Sequence, residues 1–436
     1  MLNFIDEFID YAQSMDAITF VRLFWFFFLF EFTRYFIVDF AVLLIWRFKQ
    51  IIFKHKWEQA RERLFAEQPL ISIIVPGKNE GKHIHKLTKS LNEQTYQNYE
   101  LIIVDDGSDD QTELICRDLE RNGLIDLFIR NHVRGGKASG ANTALRFSKG
   151  EIVVHLDADC SYDYDAIEKI ILPFYYDEKI GAVGGNVQVR NKEVSLCTTL
   201  QAIEYAHSIG VGRIVTSELG IYRVVSGAFG AFKRQALERV EGWDIGPGLD
   251  GDITVKFRKM DYRIFFQPEA MCLTSAPDSF KKLQNQRLRW DKSLVRFRLR
   301  KHRDVFFPHA NFKIKDFIAF LENITYNLLL NIKWYFYVAD MLINASAMLW
   351  FIVPMNLILY TLNNYAKYFL FMNFRKRRND HRGYFLPYLP LMVLYFGYFI
   401  RITRTRAYFK ELFFRESYLD NWNPAKSSNH ARAMGI

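Results

Sequence analysis

The chain has 436 residues, room for one large folded domain plus apolar segments, or for two modest domains. Lys and Arg outnumber Asp and Glu by 58 to 48, a formal net charge of +10. The basic runs Arg375–Arg378 and Arg296–Arg303 abut apolar stretches with no nucleic-acid module beside them, so an anionic lipid leaflet is the expected partner and nucleic acid is not.

The first residues are acidic, with Asp6, Glu7, Asp10 and Asp16, and lack the basic region of a cleaved signal peptide. Residues 18–46 are apolar over a length of roughly 43 Å if helical, enough for one tilted span. Arg22, Glu31, Arg34 and Asp39 interrupt that stretch, and Glu31 and Arg34 are spaced to pair on one helix face. Residues 1–48 therefore read as a retained anchor. The flank after it, 49–69, carries Lys49, Lys54, Lys56, Arg61 and Arg63, which places the N-terminus outside and the following chain in the cytosol. Cys116, Cys160, Cys197 and Cys272 form no C-x-x-C pair, which suits a reducing compartment.

From Leu70 the periodicity changes. Ile71–Pro76, Glu100–Asp105 and Glu151–Asp157 are short β-branched runs separated by amphipathic helical stretches, the pattern of a parallel sheet covered on both faces. This α/β domain spans 70–275. Ligands of such sheets bind beyond the carboxyl ends of strands, where the acidic and glycine-rich signatures stand. Residues 276–315 read as an amphipathic interface segment: Phe280, Leu283, Trp290, Leu294 and Phe297 share one helical face, opposite Lys282, Arg289, Arg296 and Arg300. A C-terminal membrane region over 316–402 holds apolar stretches at about 334–353, 355–374 and 384–402, with Pro354 a candidate turn. The tail is 403–436. Its side is open, because both the 375–382 loop and the chain from Arg401 are basic.

Asp157 and Asp159, one residue apart at a strand end, can grip a hard divalent cation, Mg²⁺ or Mn²⁺, with phosphate oxygens completing its shell. An Asp-rich turn that caps the next helix is the plainer reading. Asp105 and Asp106 also end a buried strand and can accept hydrogen bonds from a nucleoside, or can belong to an ordinary turn with Gly107 and Ser108. Gly135–Gly140 is a glycine-rich lead into a helix at roughly 140–147 that fits neither a Walker loop nor a dinucleotide fingerprint, yet Lys137 can reach a phosphate. Asp250 lies in Gly246–Asp252, a stretch with little helical or strand propensity, and is a candidate general base, with Asp252 its rival. Gln286, Arg289 and Trp290 sit within about one helical turn. Arg289 can bind a diphosphate, and Trp290 offers a face for a sugar ring.

Taken together, Asp105/Asp106, Asp157-Ala158-Asp159, Asp250 and Gln286-Arg287-Leu288-Arg289-Trp290 resemble the processive family 2 glycosyltransferases, which include cellulose, chitin and hyaluronan synthases. Gly184–Arg190 and Ser226–Phe232 look most like the bacterial poly-N-acetylglucosamine synthases. The likeness covers roughly residues 70–305. It implies a GT-A, Rossmann-like cytosolic domain between membrane segments, and a β-linked polymer made with inversion from a UDP-sugar, UDP-N-acetylglucosamine foremost. By the same resemblance Asp105 and Asp106 hold the nucleoside, Asp157 and Asp159 serve cation and donor, Asp250 is the base, and Gln286, Arg289 and Trp290 line the acceptor and diphosphate site. The expected partners are the donor, the growing polysaccharide, the bilayer of a bacterial-type inner membrane and an accessory membrane subunit. The family's Glu before the base is Leu249 here, which puts acceptor binding and the identity of the sugar in question. Two alternatives stand beside this reading: a transferase adding one sugar to a lipid, and a non-catalytic membrane subunit that keeps the fold.

Overall fold

The computed structural model describes residues 2–246, 248–308, 312–374, 383–419 and 423–434. Pro247 and the basic run Arg375–Arg378 lie outside them. The chain forms two compact units, Met1–Arg47 with Ile324–Ile402, and Phe48–Asn323 with Thr403–Ile436.

The second unit is built on one eight-stranded sheet of order β3-β2-β1-β4-β7-β6-β8-β5. Its strands are β1 Ile71–Gly77, β2 Tyr99–Asp105, β3 Leu127–Arg130, β4 Ile152–Leu156, β5 Ser161–Tyr162, β6 Ile180–Val189, β7 Phe229–Lys233 and β8 Arg263–Thr274. Every residue of β4 is buried, His155 included, which is why the run does not alternate apolar with polar residues. Strands β1 to β4 are parallel, as the strand–helix spacing predicts. The sheet as a whole is mixed, because β7 runs antiparallel between β4 and β6 and β5 antiparallel to β8. The wholly parallel expectation fails where the chain, after the helices of 196–218, re-enters the sheet from its functional edge. Leu156 pairs with Phe229, so the start of β7 lies beside the end of β4.

Helix Phe280–Val295 continues into a π-helical turn, Arg296–Lys301. On the apolar face expected for this segment Leu283 and Phe297 are buried and Phe280 and Trp290 exposed, while Arg296, expected opposite them, is buried as well. The reason lies far along the chain. Residues 403–419 and 423–434 belong to this unit, and Tyr418 stacks under the Arg296 guanidinium at 4.9 Å. Ion pairs Arg404–Asp291 (3.4 Å), Lys292–Glu416 (2.7 Å) and Arg300–Glu411 (2.6 Å) fasten the same tail to the same helix.

The first unit is helical around a core of Phe24, Met341, Phe351 and Ile352. Among the described residues one helix, Ser346–Asn373, is long and apolar enough to cross a bilayer. Pro354 does not mark a turn; it lies inside the helix Leu349–Phe374, and the chain bends at Ala345–Met348 instead. A helix packed among neighbours tolerates the single lost donor. Arg34, expected to meet Glu31, pairs with Asp39 at 2.6 Å. The stretch Phe27–Val38 is a π-helix, whose wider turn brings i+5 onto the same side.

Candidate active site

The carboxyl ends of β1, β2 and β4 and the start of β7 share one edge of the sheet, and the polar groups gather there. Gly77 pairs with Asp105, and the Asp106 N–H donates to the Gly77 carbonyl at 2.8 Å. Both acidic residues after β2 are buried, and they do different work. Asp106 accepts the N–H groups of Gly135 (2.8 Å) and Gly136 (2.7 Å), so its carboxylate shapes the glycine-rich loop. Asp105 Oδ1 accepts the Ser108 N–H at 2.9 Å, whereas its Oδ2 is buried without a hydrogen bond, 3.9 Å from Arg130. Asp105 thus keeps an acceptor oxygen in reserve.

The helix after the loop starts at Lys137, earlier than the sequence suggests. Gly136, at φ +90°, takes a backbone conformation that side chains disfavour and turns the chain into that helix. Lys137 hydrogen-bonds Asp157. Burial opposes its charge, but Asp157 and Asp250 outweigh burial and hold the ammonium above its ordinary range. The main chain around the aspartate pair is pinned as well. The Tyr162 hydroxyl donates to the carbonyls of Asp157 (3.1 Å) and Ala228 (3.0 Å), and Arg190 donates to that of Asp159 (3.1 Å).

Glu80 is the site residue that the sequence reading missed. It follows the end of β1, and burial together with the charges of Asp159 and Asp157 pushes its carboxyl up to about 7. The available signal was its place just past a strand end, the same rule that picks out Asp105 and Asp157.

Asp250 and Asp252 both fall in the first turn of a helix, Leu249–Lys259, where a loop was expected. Asp250 Oδ2 accepts the Gly227 N–H at 2.8 Å, beside the start of β7. A Cβ at Gly227 would lie 2.6 Å from Asp250 Oδ1, so only glycine allows this approach. Burial, aided by Asp157, raises the Asp250 carboxyl against the pull of Lys137 and the Gly227 amide. Asp252 instead accepts Lys301 and His302, each at 2.7 Å. The signature helix packs against the same turn: added Cβ atoms at Gly248 and Gly251 would come within 3.0 Å of Ser293 and 2.3 Å of the Phe297 ring. Within the signature, Arg287 pairs with Glu204 at 2.8 Å and lies 4.7 Å over the Trp290 ring. Trp290 is 41% exposed, and Gln286 keeps a buried Oε1 without a hydrogen bond. Structure thus brings Asp157, Lys137 and Asp250 together with Glu80 and Asp159, and sets the signature helix against the turn that carries Asp250.

This sheet, with its acidic and lysine-bearing edge, defines a GT-A glycosyltransferase fold. A mannosyltransferase of Pyrobaculum calidifontis, solved with GDP-Man and Mn²⁺, superposes with a TM-score of 0.51 at 21% identity, covering 86% of this chain and 99% of that one. Residues 72–241 match the glycosyl transferase family 2 model. Poly-beta-1,6-N-acetyl-D-glucosamine synthase of Staphylococcus epidermidis is 36% identical over 222 residues, 50% of this chain and 53% of the relative. The same-named protein of Staphylococcus aureus is 35% identical over 223 residues, with the same coverage. The chain spans about half the length of these relatives.

Proposed function

We propose that the chain is a membrane-embedded, inverting glycosyltransferase that extends a β-linked polysaccharide from a UDP-sugar. The names of its relatives favour UDP-N-acetylglucosamine. The observation that carries the reading is the Asp250 carboxylate, fixed by the Gly227 amide and close enough to Lys137 and Asp157 for their charges to shift it. In the reaction the acceptor hydroxyl oxygen bonds to the anomeric carbon of the donor as the bond to the diphosphate breaks. Asp250 takes the hydroxyl proton, and a base raised above the ordinary carboxylate range is the better for that task. Lys137 faces the charge that the leaving diphosphate gathers. Asp105, with its spare oxygen, and Asp106, through the glycine loop, serve the nucleoside side.

The acidic residues fit a divalent cation. Glu80, Asp157 and Asp159 offer hard oxygen donors, and the Glu80 carboxyl is raised first by burial and then by the charges of Asp159 and Asp157. Among the described residues no group of three side chains makes a finished cage, so diphosphate oxygens would complete the shell around Asp157 and Asp159. Mg²⁺ or Mn²⁺ there would neutralise the departing diphosphate. Gln286, Arg289 and the open face of Trp290 serve the acceptor and diphosphate, and the polymer leaves through the helices of the first unit.

The test is turnover by the detergent-solubilised protein with Mn²⁺ or Mg²⁺ and a panel of UDP-sugars, following UDP release and product length. A long polymer from one donor, reduced at least about 100-fold in Asp250→Asn, is the expected result. Single additions would make the protein a lipid glycosyltransferase, and wild-type rates in Asp250→Asn would remove the proposed base.

A further inference from the structure

The C-terminal tail reaches the donor side of the site. Its helix Ala425–Ala433 docks through Ser428 and Ala431, both buried. The Ser427 hydroxyl donates to the Gly135 carbonyl at 2.9 Å. One residue on, a Cβ at Gly136 would meet Asn423 Oδ1 and Pro424 Cδ at 3.3 Å each. The two glycines are thereby held from both sides, with Asp106 receiving their N–H groups from within the domain. Lys137 follows directly. Its reach to Asp157 depends on where this loop places the start of its helix. The other end of the tail is ion-paired to the signature helix through Glu411 and Glu416.

From this geometry we infer that residues 423–434 form the outer wall of the donor site, and that Ser427 is a positioning residue that sets the Gly135–Gly136 loop for a nucleoside diphosphate. The tail then ties the donor loop to the acceptor helix within one unit. This role rests on the donor-site reading above, so its test must separate the two.

Two measurements do so, UDP affinity by calorimetry with Mn²⁺ and amide hydrogen exchange across residues 131–140. They are made on the full chain, on Ser427→Ala, on Ser427→Thr and on a chain ending at Leu419. Loss of one neutral hydrogen bond predicts UDP binding weakened about fivefold in Ser427→Ala, with faster exchange in the loop. Ser427→Thr, which keeps the hydroxyl, restores both, and the shortened chain exceeds Ser427→Ala in both. Wild-type affinity and wild-type exchange in Ser427→Ala and the shortened chain would overturn the inference. Faster exchange in variants of a parent that binds no UDP would leave a structural clamp, and would overturn the donor role together with the donor site itself.

Discussion

Asp250 and Asp252 stand two residues apart in one helical turn, so their side chains point about 200° apart. One meets Gly227, the other Lys301 and His302. That division was not legible in the sequence, since both residues precede Ile253 in a glycine-flanked stretch and nothing local says which way the turn faces. The aspartates at strand ends were legible, because a buried β-branched run that stops at an acid marks the ligand edge of such a sheet. Asp250, raised by burial, sets a pH prediction. The transfer rate should fall as pH drops through its folded-state pKa, where the base becomes protonated. The acid limb of the kcat/KM profile should lie above the usual aspartate value of about 3.9. A profile flat down to pH 4 would show that proton removal by Asp250 does not limit the rate.

At the scale of elements, the Asp252 contacts join helix Leu249–Lys259 to the end of the signature helix. The His302 ring donates from Nε2 to Asp252 and accepts the Lys259 ammonium at Nδ1, at 3.0 Å, which fixes a neutral tautomer. Burial would raise the Asp252 carboxyl, but His302 and Lys301 outweigh it and hold it well below the ordinary range. Burial also keeps His302 below its ordinary value, against the pull of Asp252. Both depressed groups bind fewer protons folded than unfolded, so both withdraw stability as pH falls. The His302 share fades below about pH 6.5 and the Asp252 share below about pH 4. Asp252→Asn should cost about 3 kcal/mol near neutrality, seen as a lower denaturation midpoint. Its deficit relative to wild type should shrink between about pH 4 and pH 2. An undiminished deficit at low pH would mean that packing, not charge, is what the substitution removes. This network was illegible for the same reason as the buried Arg296: its partners come from remote segments, and a window of sequence shows spacing but not company. Strands β1, β2 and β4 needed no such company, and their presence and parallel direction follow from local pattern, whereas β3 and the sheet order do not.

For the whole molecule, the tail bears on a count that charge patterning leaves open. Basic residues flank 384–402 on both sides, which a single crossing cannot reconcile with cationic loops facing the cytosol. Residues 316–323 and 403–419 belong to the same compact unit, and three ion pairs bind the second of these segments to helix Phe280–Val295 and the turn after it. If the stretch between them is embedded in a bilayer it leaves and returns on one side, and we predict an even number of crossings in place of three. Ser346–Asn373 is the best-qualified crossing. Its partner is then the preceding helical run of the first unit, Thr325–Asn344, whose Lys333 is held 3.9 Å over the Trp25 ring. The segment Leu386–Ile400, broken by Pro390 and a π-helical stretch, is left to lie along the interface. Single cysteines in a chain whose own four are buried can report this directly. Ser346→Cys should react with a membrane-impermeant maleimide only from outside intact cells. Gly383→Cys and Lys426→Cys should react only after the cytosolic face is opened. Labelling of Gly383→Cys from outside would make 384–402 a crossing. It would then require one further crossing to return the tail to the helix that holds it.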